Sequence, residues 1–430
     1  MKYISTKNTD NEYALEMALR LGLAKDGGLF VPSTFPKVYE DSKSFATSYP
    51  DFAQQVFAPF FEGSVLKPHL KEICEKTFTF DLPLRYLDET RETGLLELFW
   101  GPTAAFKDVG ARFLANCFAA LQKTKPHAQD LTILVATSGD TGGAVASAFH
   151  HQPGVRVLIL FPDQGVAPRQ RHQLTAFDGN VVSVAVEGVF DDCQRLVKEA
   201  FANETLTEKH QLTSANSINI GRLLPQSIYY AHASLAYFQT HQKPATFIIP
   251  SGNVGNATAA LWAKRMGFPI GQIVMANNAN CVVADTFESL NFCPRPSIPT
   301  LANAMDVGNP SNMERLLFSV DGDIEMLKQD MSAYSVSDAA IESQIKKVKA
   351  EYGEIICPHT ATAFEIRERH QIANSVCVAT AHPAKFPEIV EPLINAEVAI
   401  PQSLASILNK PTSNEFMTPE LHLLDQILSR

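Results

Sequence analysis

The sequence predicts an α/β protein with two doubly wound, mainly parallel sheet domains, a ligand cleft between them and a helical N-terminal region. Short apolar runs typical of buried strands recur at helix-length intervals, at 131–136, 155–161, 180–186, 246–250 and 375–378. Two of these runs lead directly into a Gly-rich turn and then into an Ala-rich helical stretch, which is the pattern of a βα unit. Such units form parallel sheets with helices on both faces.

The length of 430 residues exceeds what one hydrophobic core usually serves, so we expect several parts. Periodicity and Pro breaks predict short helices before residue 90, and a Pro-rich stretch followed by a charged helical run suggests an insertion or cover later in the chain. The predicted parts are a mostly helical region at 1–90, a smaller α/β domain at 91–235, and a larger α/β domain at 236–430 with the insertion at about 285–352.

The composition argues against several classes of protein. A net charge of −10 and an isoelectric point near 5.7 disfavour nucleic-acid binding, which depends on cationic side chains. The seven cysteines are scattered without a Cys-x-x-Cys pair, as in reduced intracellular proteins, and no ligand spacing suggests a metal site. No stretch approaches the roughly 20 apolar residues of a membrane span, and the N-terminus lacks a signal-like apolar run. We expect a cytoplasmic protein without nucleic-acid, membrane or metal partners.

Lys107 is the first candidate functional residue. The segment 99–108 sets it among Gly, Pro and aromatic residues immediately before a predicted helix. A confined, apolar setting disfavours the ammonium form and makes a lysine amine a useful nucleophile, as in a Schiff base. The alternative is an ordinary surface lysine at the start of a helix.

Two Gly-rich turns that enter helices are candidate anion sites. Residues 137–143 read TSGDTGG and residues 251–256 read SGNVGN. Free N–H groups and the positive end of a helix dipole converge at such turns. Neither turn matches a nucleotide P-loop or the dinucleotide-binding glycine pattern. Each glycine could equally serve the backbone geometry alone.

Two polar elements complete the set of candidates. Arg222 follows Asn216 and Ser217, and its planar guanidinium suits phosphate or carboxylate, although an N-cap with an exposed arginine is the alternative. Thr380 follows an apolar run and could offer a neutral hydroxyl to a ring nitrogen, or simply cap the next turn. Together with Lys107 and the two loops, these elements suit pyridoxal phosphate and an anionic substrate.

A set of motifs ties nearly the whole chain to one family. They are YIST (3–6), GLAKDGGLFVP (22–32), GPTAAFKD (101–108), ATSGDTG (136–142), NSIN (216–219), SGNVGN (251–256), NAMDVGNPSN (303–312) and TAHPAKF (380–386). In these motifs the chain resembles the bacterial threonine synthases, which are fold type II pyridoxal-phosphate enzymes of the tryptophan synthase β family. It departs from the family pattern at Trp100, Ala104 and Cys281.

The resemblance implies pyridoxal 5'-phosphate as the cofactor and Lys107 as the residue that holds it as a Schiff base and shuttles protons. The other roles that it implies are cofactor-phosphate binding by Gly252, Asn253, Val254, Gly255 and Asn256, a contact of Thr380 with the pyridine nitrogen, a place for Asp140 near the phenolic oxygen, substrate-carboxylate binding by Ser138 and Thr141, and substrate-phosphate binding by Asn216, Ser217 and Arg222.

The reaction implied by the resemblance converts O-phospho-L-homoserine and water to L-threonine and phosphate, the last step of threonine biosynthesis. One alternative is a related pyridoxal-phosphate lyase that stops after phosphate elimination and releases 2-oxobutanoate and ammonia. Another is a non-catalytic binding protein on the same fold, which would be expected to lack Lys107 or the loop glycines. We expect a monomer without a separate effector domain.

Overall fold

The computed structural model describes residues 1–40, 44–46, 48–88, 90, 92–124 and 129–430. Its strands are β1 (Tyr3–Ser5), β2 (Phe30–Pro32), β3 (Leu84–Tyr86), β4 (Thr93–Glu97), β5 (Leu131–Ala136), β6 (Val155–Pro162), β7 (Val181–Val186), β8 (Leu212–Thr213), β9 (Ala245–Pro250), β10 (Ile270–Asn277), β11 (Met331–Ser335), β12 (Ser375–Ala379) and β13 (Glu415–Met417).

Its α-helices are α1 (Leu15–Leu21), α2 (Tyr49–Phe57), α3 (Leu70–Thr77), α4 (Lys107–Thr124), α5 (Asp140–Phe149), α6 (Pro168–Thr175), α7 (Phe190–Ala202), α8 (Glu204–His210), α9 (Ile220–Leu223), α10 (Gln226–His241), α11 (Gly255–Arg265), α12 (Val282–Ser289), α13 (Met313–Phe318), α14 (Ile324–Lys328), α15 (Asp338–Tyr352), α16 (Pro358–Arg369), α17 (Pro387–Ile394), α18 (Gln402–Leu408) and α19 (Leu421–Leu428). Within the described ranges, no helix is long and apolar enough to cross a membrane.

Two parallel sheets form the framework, as the strand pattern predicts. The smaller sheet has the order β13-β7-β6-β5-β8 and is parallel throughout. The larger sheet has the order β11-β10-β9-β12-β4-β3 and is parallel except for the edge strand β3. Every residue of β5 and of β12 is buried, which explains why these segments read as continuous apolar runs. The predicted α/β fold class is confirmed.

Helices cover both faces of each sheet. Successive side chains along a strand point to opposite faces, so neighbouring residues of one strand join different apolar clusters. In β5, Ile133 and Val135 join a large central apolar cluster, whereas Leu134 joins a separate cluster that contains residues of α7 and α19. In β9, Phe247 joins the central cluster and Ile248 joins a third cluster that contains residues of α15 and α16. The N-terminal region packs into the central cluster, so it supports both sheets.

The sheets do not follow the sequence boundaries that we expected. Strand β4 lies just after the expected boundary at 90/91, yet it pairs with β12 and belongs to the larger sheet. Strand β13 lies near the C-terminus, yet it pairs with β7 in the smaller sheet. Arg91, at the first expected boundary, lies outside the described residues. Sheet membership thus does not divide the chain at the predicted boundaries, and the three domains at 1–90, 91–235 and 236–430 stay a prediction.

Two segments also contain strands that periodicity did not reveal. The N-terminal region, expected to be mostly helical, includes the antiparallel ribbon of β1 and β2. The segment 285–352, expected as an insertion or cover, contributes β11 to the edge of the larger sheet. Strands of three to five residues carry too few alternations to be distinguished from loops by pattern alone.

Candidate active site

The candidate residues converge at the carboxyl ends of parallel strands from both sheets, where open α/β sheets bind their ligands. Lys107 follows β4, the 137–143 loop follows β5, the 251–256 loop follows β9 and Thr380 follows β12. One cavity brings together most of the predicted site residues, namely Lys107, Asp140, Thr141, Ser217, Arg222, Gly252, Asn253, Val254, Gly255, Asn256 and Thr380. Ser138 and Asn216 belong to the same loops but do not line it.

The turn before Lys107 is closed by a buried carboxylate. The Thr103 N–H and hydroxyl donate to the two oxygens of Asp108 at 2.9 and 2.7 Å. Gly101 packs so closely that a Cβ there would lie 2.5 Å from the Asp108 Oδ2 atom. These contacts explain the Gly and Thr of the motif, because the turn delivers Lys107 to the first position of α4.

A short antiparallel contact joins the lysine segment to the segment that follows β12. The Phe106 N–H donates to the Thr380 carbonyl at 2.9 Å, and the His382 N–H donates to the Ala104 carbonyl at 3.0 Å. Ala104 adopts a left-handed backbone with φ 55°, which a small side chain tolerates better than a branched one. The pairing places Thr380 beside Lys107.

The two other departures from the family pattern lie away from the cavity lining. The Trp100 side chain is 41% exposed, and its indole N–H donates to Glu97 at 2.8 Å. The Cys281 Sγ atom contacts the Arg295 guanidinium at 2.9 Å in a partly exposed cluster. Neither residue lines the cavity.

The amine of Lys107 loses its proton more readily than that of an ordinary lysine. Burial lowers its pKa from 10.5 to about 8, and the charges of Lys385 and Arg222 act in the same direction, whereas Asp140 opposes them. A lysine with such a pKa exists partly as the free amine at neutral pH, which is the form that attacks an aldehyde.

The 251–256 loop has the backbone of an anion site. Val254 adopts a left-handed conformation with φ 50°, which a β-branched residue rarely adopts and which costs about 1–3 kcal/mol. Strain of this kind persists where surrounding structure enforces it, often at functional sites. A Cβ on Gly252 would lie 2.7 Å from the Met305 Cα atom, so only glycine fits between the loop and its neighbour. Helix α11 begins at Gly255.

Arg222 is a buried cation without a carboxylate partner within 4 Å in the part of the chain that the structure describes. Its guanidinium donates to the carbonyls of Ala215 and Lys107, and its Nε atom has no hydrogen-bond partner among the described residues. Burial lowers the pKa of Arg222 to about 10, although Asp108 opposes this effect. A buried guanidinium in this setting fits an anionic ligand, because a buried charge requires a partner.

The residues present fit pyridoxal phosphate. Lys107 offers an amine for its aldehyde, and the 251–256 loop and Arg222 offer donors for anions. Among the described residues, the buried Asn256 Nδ2 atom has no hydrogen-bond partner, whereas the amide oxygen accepts from the hydroxyls of Tyr229 and Tyr230 at 2.5 and 2.9 Å. Unpaired buried donors beside an N–H-rich loop are typical of a site built for a phosphate group. The individual roles of these residues stay predictions.

Four buried residues that shape the site were not predicted from the sequence. Lys385 lies within the 380–386 motif, and its position among apolar residues was the sequence signal that could have indicated a buried lysine. Gln170 donates to Asp140 at 2.9 Å. Arg315 donates to the carbonyls of Phe30, Ser217 and Ile218 and to the Asn312 side chain, so it ties the N-terminal ribbon to the Arg222 loop. No sequence signal predicts the contacts of Gln170 or Arg315, since both join distant segments.

The fourth of these buried residues is His359, which lines the cavity as a neutral imidazole. Its Nε2 atom accepts from the Ala304 N–H at 3.1 Å, so Nδ1 carries the proton. Burial lowers the pKa of His359 from 6.5 to about 4, and the cations of Lys107 and Lys385 add to this effect against Asp140. The Cys357 and His359 side chains lie 3.9 Å apart, and Cys357 caps α16.

We expect His359 to reduce stability in mild acid. The unfolded chain takes up a proton near pH 6.5, whereas the folded chain resists it until about pH 4, so stability is complete above pH 6.5 and falls as pH drops toward 4. From pH 7 to pH 5 the loss through this residue is about 2 kcal/mol. Urea unfolding of His359→Gln should show a correspondingly smaller difference between these pH values. The exposed His422→Gln variant is the control, and an unchanged difference in His359→Gln would contradict the prediction.

Comparisons with known proteins give a consistent result. The sequence matches the family described as pyridoxal-phosphate dependent enzyme over residues 91–381. It also matches the threonine synthase N terminus over residues 2–78 and the threonine synthase C-terminal family over residues 359–427.

Relatives with assigned names match from end to end. The threonine synthase of Haemophilus influenzae is 35% identical over 434 residues, covering 99% of this chain and 100% of the relative. That of Escherichia coli is 34% identical over 432 residues, covering 100% and 99%. The crystal structure of pyridoxal-phosphate-bound threonine synthase from Brucella melitensis superimposes with a TM-score of 0.91 at 32% identity, covering 100% of this chain and 98% of the other.

Proposed function

Because the chain belongs to the threonine synthase family of pyridoxal-phosphate-dependent enzymes, we propose that it converts O-phospho-L-homoserine and water to L-threonine and phosphate. Threonine synthase activity and the pyridoxal phosphate cofactor follow from the family. The phosphorylated substrate and the roles of the site residues are our proposal.

The observation that carries the proposal is the place of Lys107 and Arg222 in one cavity. The Arg222 guanidinium donates to the backbone carbonyl of Lys107 at 3.4 Å, so the buried cation adjoins the residue that carries the reactive amine, and both residues line the cavity. A substrate held between them would have its amino acid end near the amine and its phosphate near the guanidinium. A phosphorylated amino acid has this distribution of groups.

When bound, pyridoxal phosphate supplies an electron sink for a carbanion on the substrate. The chain's own residues do the rest. Lys107 holds the cofactor and then moves protons between substrate carbons, which suits a pKa of about 8. Arg222 and Ser217 bind the substrate phosphate and stabilise its charge as it leaves. Ser138 and Thr141 bind the substrate carboxylate at the start of α5.

The remaining cofactor contacts are assigned by position. The backbone of Gly252 to Asn256 binds the cofactor phosphate, supported by the left-handed Val254 and the start of α11. Thr380 faces the pyridine nitrogen, supported by its place beside Lys107, and Asp140 lies near the phenolic oxygen. Asn216, which precedes Ser217 in the same loop, assists at the substrate phosphate through its amide N–H groups.

Product analysis tests the proposed reaction. The purified chain, loaded with pyridoxal phosphate and given O-phospho-L-homoserine, should release phosphate and L-threonine in equal amounts. Release of phosphate with 2-oxobutanoate and ammonia but without threonine would identify the alternative lyase. Absence of phosphate release would contradict the phosphorylated substrate.

A monomer in the cytoplasm completes the proposal. The monomer is proposed as the oligomeric state and the cytoplasm as the compartment. The seven cysteines are free thiols, as is typical of a reducing compartment. Light scattering of the purified protein tests the first statement, and cell fractionation tests the second.

A further inference from the structure

A fully buried lysine, Lys385, lies behind Lys107 in the structure. Lys385 has no solvent-exposed surface, and its Nζ atom lies 2.7 Å from the Asp140 Oδ1 atom. Its ammonium also donates to the Thr103 carbonyl at 2.9 Å, within the turn that precedes Lys107. Lys385 does not line the cavity, whereas Asp140 does. The pair therefore joins a residue of the cavity wall to a cation behind it.

Asp140 is held firmly on the side of Lys385. The Gln170 amide donates to the same carboxylate oxygen at 2.9 Å, and its own oxygen accepts from Asn303 at 3.0 Å. A Cβ on Gly139 would lie 2.8 Å from the Gln170 Cδ atom, so the loop and Gln170 are in close contact. The Asp140 carboxylate is thus held by the Lys385 ammonium and the Gln170 amide, without a contribution from a ligand.

The charged groups around Lys107 decide whether its amine is protonated, so the position of Asp140 among them matters. Asp140 at the start of α5 favours the ammonium form of Lys107, whereas Lys385 and Arg222 disfavour it. The fourth titratable neighbour, His359 of α16, is neutral in the physiological range. Asp140 is therefore the anionic group among these neighbours, and a carboxylate free to approach Lys107 would hold it as an ammonium.

We propose that Lys385 is a positioning residue that engages the Asp140 carboxylate and so keeps it from pairing with Lys107, which leaves the Lys107 amine free to react with the cofactor. Burial would raise the pKa of Asp140, but the charges of Lys385 and then of Lys107 outweigh it, so the carboxyl stays ionised. The role concerns the amine alone and does not depend on which substrate the enzyme uses.

The test measures the ionisation of Lys107 in the full-length chain after cofactor removal with hydroxylamine. Brief labelling with acetic anhydride across a pH series, read by peptide mass spectrometry, gives the midpoint at which the amine becomes reactive. In Lys385→Met the midpoint should rise by about one pH unit or more, because Asp140 loses its partner and turns to Lys107. At pH 7 the free-amine fraction, and with it the rate of pyridoxal phosphate uptake, should fall about tenfold.

Two further variants give the opposite sign and a rescue. Asp140→Asn should lower the midpoint, because the anion is lost while Lys385 and Arg222 remain. The double variant Asp140→Asn with Lys385→Met should return close to the wild-type midpoint. If the single Lys385 variant does not fold, Asp140→Asn still tests the premise of the proposal, namely that the Asp140 carboxylate favours the ammonium form of Lys107.

Lys264 provides a matched control. Its ammonium pairs with Asp330 at 2.7 Å and donates to the Gly271 carbonyl at 2.6 Å, so it has the same two kinds of acceptor, a carboxylate and a carbonyl, away from the cavity. Lys264→Met should lower the melting temperature without moving the Lys107 midpoint. An unchanged midpoint in a folded Lys385→Met or in Asp140→Asn would overturn the proposal and leave a purely structural pair. A midpoint in the double variant as high as in Lys385→Met would also overturn it. No substrate enters the measurement, so its failure is distinct from failure of the proposed reaction.

Discussion

Replacing Lys107 by alanine should abolish the absorption band of the lysine-bound cofactor and lower kcat by about 10²–10⁴-fold or more. The amine is the nucleophile for the cofactor aldehyde and the base that moves protons on the substrate in our proposal. Its setting supports both roles, because burial lowers the pKa to about 8. The phosphate loop is untouched by the substitution, so the cofactor should still bind, without the covalent link. Visible spectra and phosphate release are the measurements.

Lys123→Ala is a suitable control for this experiment. Lys123 lies in the last turn of the same helix, α4, where it is exposed and paired with Glu72. Its loss should leave the spectrum and the rate unchanged. Survival of a lysine-linked band in Lys107→Ala would show that another lysine holds the cofactor, and Lys385, although buried behind the cavity, would then be the residue to examine first.

Replacing Arg222 by alanine should raise KM for the phosphorylated substrate and leave the spectrum of the lysine-bound cofactor intact. Truncating one partner of a buried charge pair costs about 2–5 kcal/mol, which corresponds to roughly 30- to 4,000-fold in kcat/KM. Arg222→Lys should recover only part of the loss, since an ammonium cannot donate two parallel hydrogen bonds to a phosphate. Steady-state kinetics with O-phospho-L-homoserine give both values.

The control for the arginine is Arg112→Ala. Arg112 also donates to backbone carbonyls and to a hydroxyl, those of Lys76, Thr77 and Thr79, but it lies outside the cavity. Its loss should affect stability without changing KM. If Arg222→Ala instead loses the cofactor while KM for the substrate is unchanged, the two anion sites are exchanged relative to our assignment.

Much of the fold could be predicted because its strongest signals are local. The five strands expected from apolar runs are present within a residue or two of their predicted ends, for example β5 and β12. Each run is buried on both faces of a parallel sheet, and a strand buried in this way consists of consecutive apolar residues, which can be seen in the sequence. Strands β1, β2, β3, β4, β8, β10, β11 and β13 were not among the predicted runs. All of these except β10 have only two to five residues, too few alternations for a pattern to distinguish them from loops.

The candidate site was predictable to the same extent. The 251–256 loop and Thr380 directly follow the predicted strands β9 and β12, and a parallel sheet brings such ends to one edge. Lys107 follows β4, which was not predicted, so its place at the same edge was not given by the strand pattern. The Ala104 and Val254 backbones, both left-handed, were not predictable, because no local rule places alanine or valine there. They are held by the segments that pack around them.

The sequence by itself determined the α/β class and the two Gly-rich loops, since both depend on residues within short segments, and the family resemblance singled out Lys107 as the predicted reactive lysine. Only the tertiary structure decided which charges surround that lysine. Lys385 and Asp140 become partners at 2.7 Å, and Arg222 reaches the Lys107 carbonyl, through the packing of segments far apart in the chain. Burial then gives those charges their effect, because a pKa responds to solvent exclusion and to neighbouring charges, both of which exist only in the folded protein.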